Sequence, residues 1–213
     1  GYALRENPGD AHAHLHLGNL YAHLGRPAEA VDHWQKAADV NPSLSVAHRN
    51  LGLYAWAVGN DLPKAEQSYR KAIDARPKDQ TLYRDLAEIL MAQTKRPEAI
   101  KILETMPSEG LRRADILIML AQAYSDEQRH DDTIKLLEST PYFVNWEGQS
   151  ITWDLFHRAH VKRGQNRFEG KDFAGALKDF EAALTYPDNI GVGRSNRPQE
   201  AADAWEAALA ADP

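Results

Sequence analysis

The chain has 213 residues, 26% of them charged, and a formal net charge of −6 at pH 7. This acidic balance argues against a protein that binds nucleic-acid phosphates, which would present a basic face. The most apolar run, around residues 114–123, is too short and too interrupted by charge for membrane insertion. Cysteine is absent, so disulfides and zinc knuckles are excluded. The absence of cysteine does not identify the cellular compartment, and we favour a cytoplasmic location.

Residues 1–10 have the spacing of the end of a helix. Ala3 and Pro8 precede Ala37 and Pro42 by 34 residues each. We interpret this stretch as the tail of an upstream repeat, so the chain is predicted to be a fragment of a longer protein.

The stretch 11–44 predicts a pair of packed helices. Its apolar and small residues recur one helical turn apart, at His14, Leu17, Gly18 and Tyr21 on the first helix and at Ala30, Trp34 and Ala37 on the second. Gly18 and Ala30 are small enough for a close helix crossing. Gly25 fits the turn, and Pro42 ends the second helix.

The same spacing returns along the chain, in residues 45–79, 80–113, 114–147 and about 150–187. In the second pair Gly59 is expected to take the place of Gly25, in a turn with one extra residue. The second helices of the third and fourth pairs should end early, before Pro107 and Pro141. A long helix is predicted from about Ser150 to Glu169. A glycine-rich loop (188–198) and a terminal helix (199–213) follow.

The repeated pattern resembles the tetratricopeptide repeat (TPR), with His14 in place of the usual Trp and Trp34 in place of the usual Phe. The resemblance implies an all-α, right-handed superhelical solenoid of antiparallel helix pairs, extending as one domain over residues 1–213. One such pair cannot bury its apolar face alone, so copies must stack. The stretch 186–198 also resembles a segment of large bacterial TPR proteins of unassigned function.

In the TPR family the first helices of the pairs line a concave groove that binds a peptide, and the resemblance implies the same here. The expected partner-binding residues are Leu15, Asn19, Arg49, Asn50, Leu53, Trp56, Arg84, Glu88, Met119 and Gln122. Leu15, Leu53 and Trp56 would supply apolar burial, and the polar side chains would hydrogen-bond a protein or peptide ligand. A carboxylate clamp of the chaperone-binding kind is not predicted. Asn19 and Asn50 match that motif, but its cations are missing.

An aromatic insertion follows the fourth pair and is foreign to the TPR pattern. Tyr142, Phe143 and Trp146 are expected either to fill a gap between neighbouring pairs or to form a second surface for a partner or for self-association. The alternative function is therefore a structural or oligomerisation arm of a larger protein that itself has catalytic domains.

The sequence predicts no catalytic, metal or cofactor site. His12 and His16 share one helix face, but without a third ligand a solvated surface is favoured. With His23, they would make binding sensitive to pH around about pH 6.5. Gly191 and Gly193 lack the rest of a nucleotide-binding fingerprint. No nucleophile and base stand at a catalytic spacing, so we predict that the chain is not an enzyme.

Overall fold

The computed structural model describes residues 7–107, 113–140 and 149–185 and also Glu206, with the backbone alone at residues 149 and 150. Within these ranges the chain is helical and contains no strand. The helices are α1 Ala11–His23, α2 Pro27–Val40, α3 Ser45–Ala57, α4 Leu62–Ala75, α5 Gln80–Ala92, α6 Arg96–Thr105, α7 Ala114–Asp126, α8 His130–Ser139, α9 Gln149–Glu169 and α10 Phe173–Ala183. They form two compact units, residues 1–110 and 111–213.

In the first unit each helix packs against the next one along the chain. Short turns join the two helices of a pair, so they run antiparallel. One buried cluster joins Leu15 of α1, Trp34 of α2 and Leu51 of α3. Apolar burial therefore continues from the first pair into the second, as stacking of repeats requires.

Glycines let the two helices of a pair approach closely. A Cβ atom on Gly18 would lie 2.4 Å from Cδ1 of Trp34, which is well inside contact distance. Two other pairs repeat this arrangement, at 2.6 Å for Gly52 and Tyr69 and at 2.5 Å for Gly164 and Phe180. The aromatic ring of the second helix thus occupies the volume that a side chain on the first would need.

The third and fourth pairs use a different combination at the same positions. They have alanine on the first helix and leucine on the second, Ala87 with Leu103 and Ala121 with Leu137, and all four residues are buried. A methyl group fits where the facing side chain is smaller than a ring. The residue types at the two positions therefore vary together, because one shared volume must be filled.

In each of the first three pairs, a side chain near the start of the first helix hydrogen-bonds the carbonyl oxygen of the proline that precedes this helix. His14 Nε2 lies 3.1 Å from the Pro8 carbonyl oxygen. The same bond recurs six residues apart in the next pairs, from His48 Nε2 to the Pro42 oxygen at 2.9 Å and from Tyr83 Oη to the Pro77 oxygen at 2.9 Å. His therefore replaces the usual Trp without loss of a donor.

The turn inside each pair contains one residue in the left-handed region. These residues are Gly25, Asn60, Thr94, Gln128 and Lys171, with φ values of 68°, 48°, 62°, 59° and 64°. The expectation that Gly59 takes the place of Gly25 is therefore corrected. The extra residue of that turn shifts the left-handed position to Asn60, and asparagine is among the residues that tolerate it best.

In the second unit α9 packs against α7, α8 and α10. Its core joins Leu117 and Ala121 of α7, Leu137 of α8, and Trp153 and Phe156 of α9. The helix predicted from about Ser150 to Glu169 is confirmed. The early helix ends are confirmed as well, because α6 ends at Thr105 and α8 ends at Ser139, each just before its proline.

Several predictions fall on residues that the structure does not describe. They concern residues 1–6, the insertion with Tyr142, Phe143 and Trp146, the loop 188–198 and the terminal helix 199–213 apart from Glu206. The arrangement of all pairs as one solenoid domain stays a prediction. No helix in the described ranges is both long enough and apolar enough to cross a bilayer.

Candidate peptide-binding surface

A depression of about 460 Å³ lies between the C-terminal parts of α1 and α3. Its lining is mainly apolar and consists of Asn19, Ala22, His23, Trp34, Asn50, Leu53, Tyr54, Ala57 and Val58. Leu53 is 42% exposed and Val58 is 63% exposed. Apolar side chains with this exposure, gathered around one concavity, can bury a partner's side chain.

Two side-chain amides are locked together at the polar side of this depression. The Oδ1 atom of Asn19 accepts hydrogen bonds from Trp34 Nε1 and from Asn50 Nδ2, each at 2.9 Å. An indole nitrogen only donates, so the atom of Asn19 that faces Trp34 must be its oxygen. The group of Asn50 that meets the same oxygen must then be its NH₂. Trp34 therefore determines the orientation of both amides.

The locked orientation leaves complementary groups for a ligand. The NH₂ group of Asn19 and the Oδ1 atom of Asn50 have no hydrogen-bond partner among the described residues. One is a donor and the other is an acceptor, and a peptide group likewise offers one of each. The pair can therefore hydrogen-bond the backbone of an extended chain.

A second polar arrangement lies farther along the first unit and is already satisfied internally. Tyr69 Oη donates to Asp85 Oδ2 at 3.2 Å, and Arg84 donates to Asp85 Oδ1 from Nε at 3.0 Å and from Nη2 at 2.6 Å. Burial and the neighbouring Asp85 carboxylate raise the pKa of the Tyr69 hydroxyl. Arg84, one of the expected partner-binding residues, is thus engaged with its own neighbour.

The other expected binding residues lie in different environments. Arg49 is exposed and, across the described ranges, makes no hydrogen bond or ion pair. Trp56 and Glu88 are half-buried in the same unit. Leu15 is only 7% exposed and belongs to the core between α1, α2 and α3. A buried side chain cannot meet a partner, so Leu15 does not belong to the accessible surface.

Met119 and Gln122 lie on α7, in the second unit, and both are half-buried. Gln122 Nε2 donates to Asp126 Oδ1 at 2.7 Å. The structure brings together Asn19, Asn50 and Leu53 around the depression. Trp34, Ala57 and Val58 were missed as lining residues, because Trp34 is a core position on a second helix and the other two lie beyond the expected stripe.

The second unit contains a charged cluster around a buried carboxylate. Asp179 on α10 is 1% exposed and accepts hydrogen bonds from His160 Nδ1 at 3.0 Å and from Arg167 Nη1 at 2.8 Å. Arg163 Nε lies 3.0 Å from both of its carboxylate oxygens. Burial acts to raise the pKa of Asp179, but the bonds from His160 and Arg163 outweigh it and lower the pKa. The Asp179 carboxylate thus joins α9 to α10 by ion pairs.

In the described part of the chain, no three His, Asp or Glu side chains gather as ligands for a metal ion.

Two family models of the tetratricopeptide repeat match residues 9–78 and 60–112. The chain is a tetratricopeptide repeat protein. Human protein O-mannosyl-transferase TMTC1 is 26% identical to this TPR protein over 159 residues, 72% of the chain and 17% of the relative. Mouse tetratricopeptide repeat protein 21B is 24% identical over 191 residues, 81% of the chain and 14% of the relative. The chain thus spans less than a fifth of either relative.

The crystal structure of YrrB, described as a TPR protein with an unusual peptide-binding site, has the same fold. It superposes with a TM-score of 0.63 at 17% sequence identity, over 96% of each chain. The all-α TPR-type fold is therefore confirmed. The repeat family and the fold support a protein-interaction scaffold in general.

Proposed function

We propose that this TPR protein binds an extended segment of a partner protein on the surface formed by α1 and α3. The observation that supports the proposal is the amide pair of Asn19 and Asn50, held in one orientation by Trp34 beside an apolar depression. A protein that used these helices only for internal packing would have no need of oriented, unpaired donor and acceptor groups next to exposed Leu53.

The proposed binding has two parts. The NH₂ group of Asn19 and the carbonyl oxygen of Asn50 hydrogen-bond the backbone of the segment, which sets its position independently of its sequence. An apolar side chain of the segment enters the depression and contacts Leu53, Ala57 and Val58. Full burial of such a side chain contributes about 1.5–3 kcal/mol. The first part requires an extended conformation and the second selects the residue.

The test compares two substitutions that place a carboxylate on an exposed apolar residue. Leu53→Asp changes the lining of the depression, whereas Val40→Asp changes a residue of α2 that is 50% exposed and does not line it. Peptides are selected from a displayed library of random 12-residue sequences on the wild-type chain, and their affinities are measured by fluorescence anisotropy.

We expect Leu53→Asp to abolish binding and Val40→Asp to leave it unchanged. Equal binding by the Leu53→Asp variant and the wild type would contradict the proposal, as would a library that yields no binding peptide. Circular dichroism spectra of both variants check that the helices are retained.

A structural or oligomerisation arm of a larger protein is the second proposed function. Leu20 and Leu24 on α1 are 51% and 60% exposed and do not line the depression, which favours an additional contact surface. Light scattering should then show a mass that rises with concentration and falls to that of a monomer in a Leu20→Asp/Leu24→Asp variant. A monomer at every concentration would contradict this function.

A further inference from the structure

We infer that the bound segment is acidic: it carries an Asp or Glu close to its apolar anchor, and this carboxylate pairs with Arg49. The inference rests on the proposed function and specifies the chemistry of its partner. Three features of the first unit carry it, namely the distribution of acidic residues, the state of Arg49 and the position of the depression.

The two helices of the binding surface differ in charge from the rest of the protein. Of the ten helices that the structure describes, α1 and α3 alone contain no Asp or Glu, although the chain has 31 acidic residues. Their basic side chains are His12, His14, His16 and His23 on α1 and His48 and Arg49 on α3. The acidic cap of α1, Asp10, already accepts from the backbone N–H groups of His12 and Ala13. The side chains of these two helices therefore offer an acidic partner no like charge and a basic partner no counter-charge.

Arg49 is the cation that such a partner would meet. It immediately precedes Asn50 and lies one helical turn before Leu53, and it has no hydrogen-bond or ion-pair partner among the described residues. Arg84 occupies the same position in the next pair, but its guanidinium holds the carboxylate of Asp85. The arginine at this position thus has a counter-ion in the third pair, whereas in the second pair it has none within the part of the chain that the structure describes. An unpaired guanidinium suits bidentate binding of an external carboxylate.

The position of the depression limits where the acidic residue stands in the segment. The depression lies near the last turns of α1 and α3, where helix dipoles oppose a negative charge. The carboxylate should therefore lie toward Arg49, about 6 Å from Leu53 along the helix axis, given a rise of about 1.5 Å per residue. An extended chain covers about 3.3 Å per residue, so the acid should stand about two to four residues from the anchor.

The experiment uses the peptides selected on the wild-type chain and two variants matched in charge. Arg49→Gln removes the cation of the binding surface, and Lys71→Gln removes one exposed cation of α4. We expect the selected peptides to share an acid two to four residues from a large apolar residue. We expect Arg49→Gln to weaken binding at least about fivefold and Lys71→Gln to have no effect. Replacing the peptide acid by its amide should weaken binding to the wild type but not to Arg49→Gln.

Two results would overturn the inference. Peptides selected without an acid at that spacing would do so, and so would equal effects of Arg49→Gln and Lys71→Gln. If Leu53→Asp still abolishes binding in either case, the proposed function stands and only the acidic partner is wrong. If Leu53→Asp has no effect, the surface itself is wrong and both fail.

Discussion

Two carboxylates of this protein each hold three side-chain donors, yet they link different parts of the fold. Glu66 on α4 accepts from Arg70 of its own helix and from Gln93 and Lys95 after α5, so it joins the second pair to the third. Asp179 on α10 accepts from three residues of α9, so it joins the two helices of one pair. The Glu66 side chain is 14% exposed, whereas that of Asp179 is 2% exposed.

The difference shows that the position of a carboxylate along the second helix of a pair decides which helices it connects. Glu66 lies in the first turns of α4, next to the turn of the following pair, and solvent reaches part of its site. Asp179 lies in the second half of α10 and faces the stripe of His160, Arg163 and Arg167 on α9. A partly exposed link between pairs should be weaker and easier to titrate than a buried link within one pair.

The largest expected effect comes from removing the buried carboxylate. Asp179→Ala removes the buried common acceptor of His160, Arg163 and Arg167, and should lower the free energy of unfolding of the second unit by about 3 kcal/mol. Urea denaturation followed by circular dichroism measures this loss. Glu181→Ala, an exposed residue of the same helix, is the control and should change stability by less than about 0.5 kcal/mol. Similar losses in both variants would show that the cluster is not a stabilising link.

A close helix crossing at a glycine occurs in both units, so a larger side chain at that glycine should destabilise both. Gly52→Ala and Gly164→Ala each place a Cβ atom about 2.5–2.6 Å from a ring carbon, and each should cost about 2 kcal/mol. Adding Phe180→Leu to Gly164→Ala reproduces the combination at Ala121 and Leu137 and should restore part of the loss. The measurement is again urea denaturation. A double variant no more stable than Gly164→Ala would contradict the shared-volume explanation.

The partly exposed link at Glu66 should make the stability of the first unit depend on pH. Burial acts to raise the pKa of Glu66, but hydrogen bonds from Lys95, Arg70 and Gln93 outweigh it and lower the pKa to about 2. Because this value lies below that of the unfolded chain, the ionised form favours folding. The contribution, about 1–2 kcal/mol after screening, is fully present above about pH 4.5 and is lost as the pH falls toward 2. Glu66→Gln should remove this part of the acid dependence, measured as melting temperature between pH 5 and 2.5. An unchanged acid profile would contradict the link.

The smallest effect concerns the turns, which again occur in both regions. Thr94 is β-branched and has a left-handed φ of 62°, a conformation that costs an L-residue about 1–2 kcal/mol. Thr94→Gly should therefore stabilise the first unit by about 0.5–1 kcal/mol after the added entropy of glycine. Lys171→Gly, at the same place in the second unit, should gain less because lysine is unbranched. A loss of stability in Thr94→Gly would show that its bond from Oγ1 to the Gln93 carbonyl matters more than backbone strain.

The sequence predicts the helix pairs well because their packing repeats. Gly18 with Trp34 and Ala121 with Leu137 recur at a fixed spacing, and that spacing specifies the crossing. It predicts the binding surface only in part. Leu15 and Arg49 occupy the same position in successive pairs, but the leucine turns into the core and the arginine extends into solvent. At the edge of a helix face the chemistry of the side chain, and not its position, decides its exposure.

The links between side chains are less visible in the sequence. Asp179 reads as one acid among many on a helix, and only the fold shows that three donors of α9 converge on it. The role of Trp34 is hidden for a similar reason. Its spacing marks a core residue, and its indole N–H acts on Asn19 of another helix. Periodicity reports which face is buried, but it carries no information about individual donor atoms.

The indole of Trp34 also selects one of two possible orientations of the asparagine amides. Two asparagine amides that contact each other have two nearly equivalent states, related by a concerted half-turn of both groups that exchanges every donor with an acceptor. The bond from Trp34 Nε1 to Asn19 Oδ1 selects one of them. With phenylalanine at this position the ring would still fill the space, but both states would be populated. The donor and the acceptor that face a ligand would then have no fixed positions, and a bound chain could run in either direction.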